Sequence, residues 1–295
     1  MKTIRGFNSL KPAAKASAAG VLMVTSMLVS GQVMAQQLPS MSEPPWTGFF
    51  SGNKQRNFEF GINNEGAMEL SLMNRKKERV SHSRLIKIYP QVIVTNDDGK
   101  QFYKRLKEDE GFSTDMKPGM EHQEVKFKAE ATGDAKVEIK VKYDRNKIVL
   151  DGRILDKGKL TKGKLSFAFW VRVPAMYTNT YKDERKAKAK MRKDKFRFVR
   201  AENGKRVTLK TYEKVKLLDD ENAKGGVREL SVDMEGQEGH VLIFGTEDEK
   251  GILEIKHPRR ADEGMLWQGY EVLWQRPFEA ADSKSSIKPF VIEIK

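Results

Sequence analysis

The feature that most constrains this chain is a strict two-residue alternation of apolar and charged side chains across residues 123–173. Val125, Phe127, Ala129 and Ala131 alternate with Lys126, Lys128 and Glu130. After a turn at Thr132-Gly133-Asp134-Ala135, Val137, Ile139, Val141 and Tyr143 alternate with Lys136, Glu138, Lys140 and Lys142. A period of two places one set of side chains on each face of a β-strand. A fully charged second face requires a sheet with one side covered and the other in water. Short turns between successive runs predict a meander of antiparallel hairpins through Ile148–Leu155 and on to Leu165–Val173. Two such sheets packed face to face form a sandwich, and an all-β antiparallel sandwich is the expected fold.

The same rhythm extends in both directions. Phe58 and Phe60, then Met68, Leu70 and Leu72, alternate with polar neighbours. Leu85 to Thr95 is a longer apolar run containing Pro90, which predicts an edge strand, a bulge or two short strands. Further strands are expected at 196–200, 206–217, 227–234, 239–246, 251–256, 268–275 and 289–294, giving roughly 13–16 in all. No repeat of fixed period is present, which argues against a propeller or solenoid. Gln36 to Arg56, with Pro39, Pro44 and Pro45, is expected to be an extended lead-in, and 57–295 a single sandwich domain. The one break in the pattern is 183–193, where helix formers predict a short exposed helix or a loop.

Residues 1–35 have the order of a secretory signal. Lys2, Arg5, Lys11 and Lys15 precede an apolar run from Ala16 to Val29, and Val33 and Ala35 occupy the small-residue positions before a cleavage point. The run is short for a membrane span. The expected location is therefore periplasmic or secreted, with no transmembrane segment left after cleavage. The chain has no cysteine, which removes disulfides, thiolate metal sites and cysteine nucleophiles and suits an oxidising compartment. Taking the four leader charges from the +14 of the whole chain leaves +10, an excess that favours anionic partners.

Three groups of residues could carry function. Residues 182–200 hold ten bases against three acids, among them Arg185, Lys186, Lys188, Lys190, Arg192 and Lys193. Such a run can dock an anionic polysaccharide or lipopolysaccharide; nucleic acid fits less well, because few aromatic side chains are available for stacking. Competing with that reading is a solvated segment without a partner.

The second group is on Leu165–Val173. Its apolar face is Leu165, Phe167, Phe169, Val171 and Val173, and its other face is Ser166, Ala168, Trp170 and Arg172. This strand should be central. Trp170 can stack on a sugar ring while Arg172 pairs with a carboxylate or sulfate; alternatively Trp170 is a core residue. The third group is at 257–276, where Tyr270, Val272 and Trp274 should share one strand face and Trp267, Glu271 and Leu273 the other. Trp267 and Tyr270 are candidate ligand contacts, or simple aromatic packing.

No nucleophile elbow, phosphate loop or dinucleotide fingerprint is present. His82, His122, His240 and His257 show no metal-ligand spacing, and no metal or cofactor is implied. An antiparallel sandwich of this length and strand rhythm resembles the supersandwich domains of the galactose-mutarotase type found in carbohydrate-active proteins. No motif accompanies that resemblance, so no catalytic residue follows from it. The leading expectation is an exported protein that binds an acidic glycan or envelope polyanion without catalysis. An epimerase, lyase or hydrolase acting on carbohydrate is the alternative, requiring His240 or His257 beside a carboxylate such as Glu263 or Glu271. An envelope structural or adaptor protein is the third.

Overall fold

The computed structural model describes residues 37–120, 122–174, 189, 191–210, 225–246, 248–256, 269–279 and 288–295. All lie in one compact unit, Met34–Lys295. They form sixteen antiparallel strands in one large, nearly closed sheet, flattened like a sandwich. In chain order these are β1 (Phe49–Lys54), β2 (Phe58–Asn63), β3 (Met68–Leu72), β4 (Ile86–Thr95), β5 (Gln101–Arg105), β6 (Glu124–Ala131), β7 (Ala135–Asp144) and β8 (Lys147–Asp156). There follow β9 (Lys164–Pro174), β10 (Lys195–Arg200), β11 (Arg206–Lys210), β12 (Val227–Asp233), β13 (Val241–Thr246), β14 (Ile252–Lys256), β15 (Gly269–Pro277) and β16 (Phe290–Ile294). Helical turns are short, at Met191–Lys193 and Glu235–Gln237. Among the described residues no helix is long and apolar enough to cross a membrane.

The sheet runs β1-β2-β3-β4-β9-β15-β14-β12-β13-β16-β8-β7-β6, and then folds on itself. Aromatic contacts across the interior mark the fold: Phe50 with Phe127, Phe60 with Tyr143, Phe169 with Phe290 and Phe244 with Tyr270, at centroid distances of 5.6–6.5 Å. The alternating apolar side chains of all these strands join one buried cluster. The remaining gap between β1 and β6 is bridged by the segment after β5. Ser113 exchanges two backbone hydrogen bonds with Lys128, and Gly119 exchanges two with Phe50 and Gly52. This bridging covers most of the backbone edge that an open sheet would leave exposed.

Three sequence expectations need adjusting. The sheet begins at Phe49, inside the stretch expected to be lead-in, because Phe50 is fully buried and β1 pairs along β2. The β6–β7–β8 meander forms as expected, but β9 does not continue it. The chain crosses to the opposite layer after β8, and β9 inserts between β4 and β15. Gly152 of β8 leaves room for the Phe167 ring of β9 to pack against it: a Cβ there would lie 2.0 Å from that ring. Finally, β4 is one continuous strand. Its edge opposite β9 pairs with β3 up to Ile88 and with β5 from Gln91, so Pro90 falls between two partners, where that edge has no ladder bond to lose.

Candidate functional site

The candidate site is the outer face of β4, β9 and β15, the face turned away from the core. Strand register builds it row by row. Lys87, Arg172 and Glu271 lie side by side, as do Tyr89, Trp170 and Leu273, then Gln91, Ala168 and Gln275. Strand β5 adds Arg105 opposite Gln91 and Tyr103 opposite Ile93. Ile93, Ala168 and Leu273 are buried and form a second, smaller apolar cluster on this outer face, with Trp170 packed against it.

Trp170 is half-buried, as its position on the second face of β9 predicts. Tyr89 packs against it at 5.9 Å between ring centroids, tilted by 46°. The guanidinium of Arg172 sits over the indole, 5.2 Å from its centroid, a cation–π arrangement. Its Nε is 3.2 Å from Oε1 of Glu271, which is nearly buried while Arg172 stays half-exposed. The carboxylate therefore orients the guanidinium across the aromatic ring and leaves its outer edge available.

Two adjoining depressions open on this face. One, of about 300 Å³, is lined by Glu65, Tyr89, Arg105, Glu108, Trp170 and Arg172, among others. The other, of about 210 Å³, is lined by Tyr103, Arg105, Trp170, Glu271 and Leu273. Arg105 and Trp170 line both and so form the ridge between them. Binding sites for small molecules typically measure ~300–1,000 Å³; the two lobes taken as one groove fall in that range. Two arginines and three carboxylates around an aromatic floor offer hydrogen-bond donors and acceptors together.

The other candidates are distributed differently. Tyr270 faces inward, with 1% of its surface exposed, packed edge-on against Phe196 at 4.8 Å. Burial raises its phenol well above the usual tyrosine range. It is a core residue and leaves the set of ligand contacts, because β15 turns Tyr270, Val272 and Trp274 to the core and Glu271 and Leu273 outward. Arg192 and Lys193 are exposed in the turn leading into β10. The leader 1–35, Arg185, Lys186, Lys188, Lys190, His257, Glu263 and Trp267 lie outside the described residues.

The histidines that are described do not approach a carboxylate. The Nε2 of His122 is 2.9 Å from the Lys117 carbonyl, and the Nε2 of His240 is 2.7 Å from the Met73 carbonyl. The first contact lies within the connection between β5 and β6, and the second ties the turn before β13 to the residue that follows β3. Among the described residues no cluster of His, Asp and Glu could hold a metal ion.

Sequence reasoning named Trp170 and Arg172 as ligand contacts and Glu271 as a possible catalytic carboxylate, put Leu273 only on the same face as Glu271, and missed Tyr89, Gln91, Tyr103, Arg105, Glu65 and Glu108. These come from β2–β5 and their connections, far along the chain, and reach Trp170 only through the pairing of β4 with β9. The alternation of Lys87, Tyr89, Gln91 and Ile93 against Ile88, Pro90 and Val92 was the available signal. The chain matches no protein-family model and no curated protein, so the site rests on its own geometry.

Proposed function

We propose that this is a glycan-binding protein whose ligand, a saccharide carrying carboxylate groups, lies in the groove over Trp170. The observation that carries this reading is a partly exposed tryptophan lining both lobes of a groove, flanked by Arg105 and Arg172. Flat aromatic surface suits the C–H face of a sugar ring, and a guanidinium pairs bidentately with a carboxylate. Arg172 is held for this by Glu271 and by the indole beneath it.

Charge narrows the ligand class. Glu65, Glu108 and Glu271 line the groove together with the two arginines. Carboxylates accept hydrogen bonds from sugar hydroxyls, but they repel a densely sulfated polymer. A sugar acid with free hydroxyls is the better match. The basic run at 182–200 would then act at longer range, drawing an anionic chain toward the protein in a salt-dependent manner. An exported location, expected from residues 1–35, places the protein where such glycans occur.

The test is calorimetric titration with tetrasaccharides of a uronic acid, of neutral glucose and of a highly sulfated glycosaminoglycan. Uronate should bind best, and Trp170→Ala should weaken it about tenfold or more. Equal affinity for wild type and Trp170→Ala would rule out the groove.

A further inference from the structure

Two polar groups beside Trp170 have no side-chain partner among the described residues. The guanidinium of Arg105 is exposed and makes no ion pair among the described residues. The side chain of Gln91 is fully buried, and neither its amide nitrogen nor its amide oxygen has a hydrogen-bond partner. Its cross-strand neighbours are Arg105 on one side and Ala168 on the other, and Trp170 is the next outward residue along β9. Gln91 therefore underlies the ridge on which the two lobes of the groove meet.

This placement is unfavourable for the fold alone. A buried amide without a protein hydrogen-bond partner is unfavourable, whereas an apolar side chain of similar shape would not be. Two of its neighbours on this face, Ala168 across the strand pair and Ile93 two residues along β4, are buried and apolar, a setting suited to a leucine. By contrast Gln275, in the same row on β15, hydrogen-bonds Glu254. The unmet donor and acceptor of Gln91 stand next to Arg105, the groove arginine with no ion pair among the described residues.

We propose that Gln91 is the specificity-determining residue of the groove. Its amide would read two adjacent ring hydroxyls of a uronic acid residue that straddles the ridge, donating to one and accepting from the other. Arg105, free to swing outward, would take the carboxylate of that residue and uncover the amide as it does so. The ligand class is then an oligosaccharide of at least two rings, with a uronate bearing free vicinal hydroxyls at the ridge. This inference rests on the saccharide reading of the groove.

The experiment compares the full-length mature protein with its Gln91→Leu and Trp170→Ala variants. Probes are tetrasaccharides of galacturonate, glucuronate and mannuronate, each also with its ring hydroxyls methylated. Calorimetry gives affinities and thermal unfolding gives stability. The expected result is that Gln91→Leu unfolds at the same temperature as wild type or higher. It binds the tightest uronate about tenfold more weakly, and it no longer distinguishes that uronate from its methylated form. Three results would overturn the assignment. A lowered unfolding temperature would make the amide a structural group. Binding abolished by Trp170→Ala but unchanged in Gln91→Leu, with methyl discrimination intact, would remove Gln91 while leaving the groove. No binding of any uronate to wild type would remove the saccharide reading and this inference with it.

Discussion

The outer face of β6, β7 and β8 and the outer face of β4, β9 and β15 belong to the same sheet and obey the same alternation, yet they are chemically opposite. On the first, charges are matched across strands. Glu138 accepts from Lys126 at 3.0 Å and Arg153 at 2.7 Å, while Glu124 meets Lys142 at 2.9 Å and Lys140 at 3.7 Å. Burial alone would raise the Glu138 carboxyl, but its bonds to Lys126 and Arg153 outweigh this and hold it below the usual range. The hydrogen bond from Lys142 does the same for Glu124. On the second face an aromatic floor, a stacked arginine and an arginine with no ion pair among the described residues line a groove, and an unpartnered buried amide lies beside it. Charge that satisfies itself keeps a surface wet and inert. Polar groups left unsatisfied beside exposed aromatic surface mark where a ligand completes the structure.

Substitutions on the shared interior and on each outer face sharpen that contrast. The largest effect is expected from Trp274→Ala, which removes a fully buried side chain stacked on Phe290 at 5.9 Å and should cost about 3–5 kcal/mol in denaturant unfolding. Trp170→Ala, one strand away on the opposite face, should cost less, about 1–2 kcal/mol, because the indole is only partly buried. A comparable loss at both positions would mean that Trp170 is a core residue.

On the charged face, Glu138→Ala leaves two cations without their acceptor and should cost about 1.5–3 kcal/mol by the same measurement. The ladder also predicts an acid response. Glu124 and Glu138 have folded-state pKa values below those of an unfolded chain, near ~4.3. Their stabilising contribution is complete above that value and is lost as pH falls through the folded pKa. Unfolding midpoints should therefore drop between pH 5 and pH 3, and Glu138→Gln should drop less over that interval than wild type. A Glu138→Gln profile parallel to wild type would show that the ladder contributes nothing to acid sensitivity. The smallest effect belongs to Lys142→Ala, which breaks an exposed ion pair and should leave the unfolding midpoint indistinguishable from wild type.

Much of this contrast was legible in the sequence because alternation assigns faces directly. Lys126, Lys128, Glu138 and Lys140 announced a solvated face, and Ser166, Ala168, Trp170 and Arg172 announced a different one. The division of β15 into Tyr270, Val272 and Trp274 on one face and Glu271 and Leu273 on the other is likewise readable, but alternation alone does not say which face the core covers, and Tyr270 lies on the covered one. Strand partnership was not legible. Nothing local tells β9 to leave β8 and lie between β4 and β15, since that choice depends on Gly152 facing Phe167 and on which edges remain free. Gln91 and Arg105 could not be joined to Trp170 without that pairing. Pro90 suggested an interrupted strand, because the sequence does not show that a partner change relieves the missing donor.

The most direct measurement is side-chain footprinting of the protein with and without a saturating uronate tetrasaccharide, read at both outer faces in one sample. Protection at Tyr89, Tyr103 and Trp170, with no change at Lys126, Lys140 or Lys142, is the predicted outcome. Protection confined to the lysine ladder, or none at Trp170 under saturation, would contradict it.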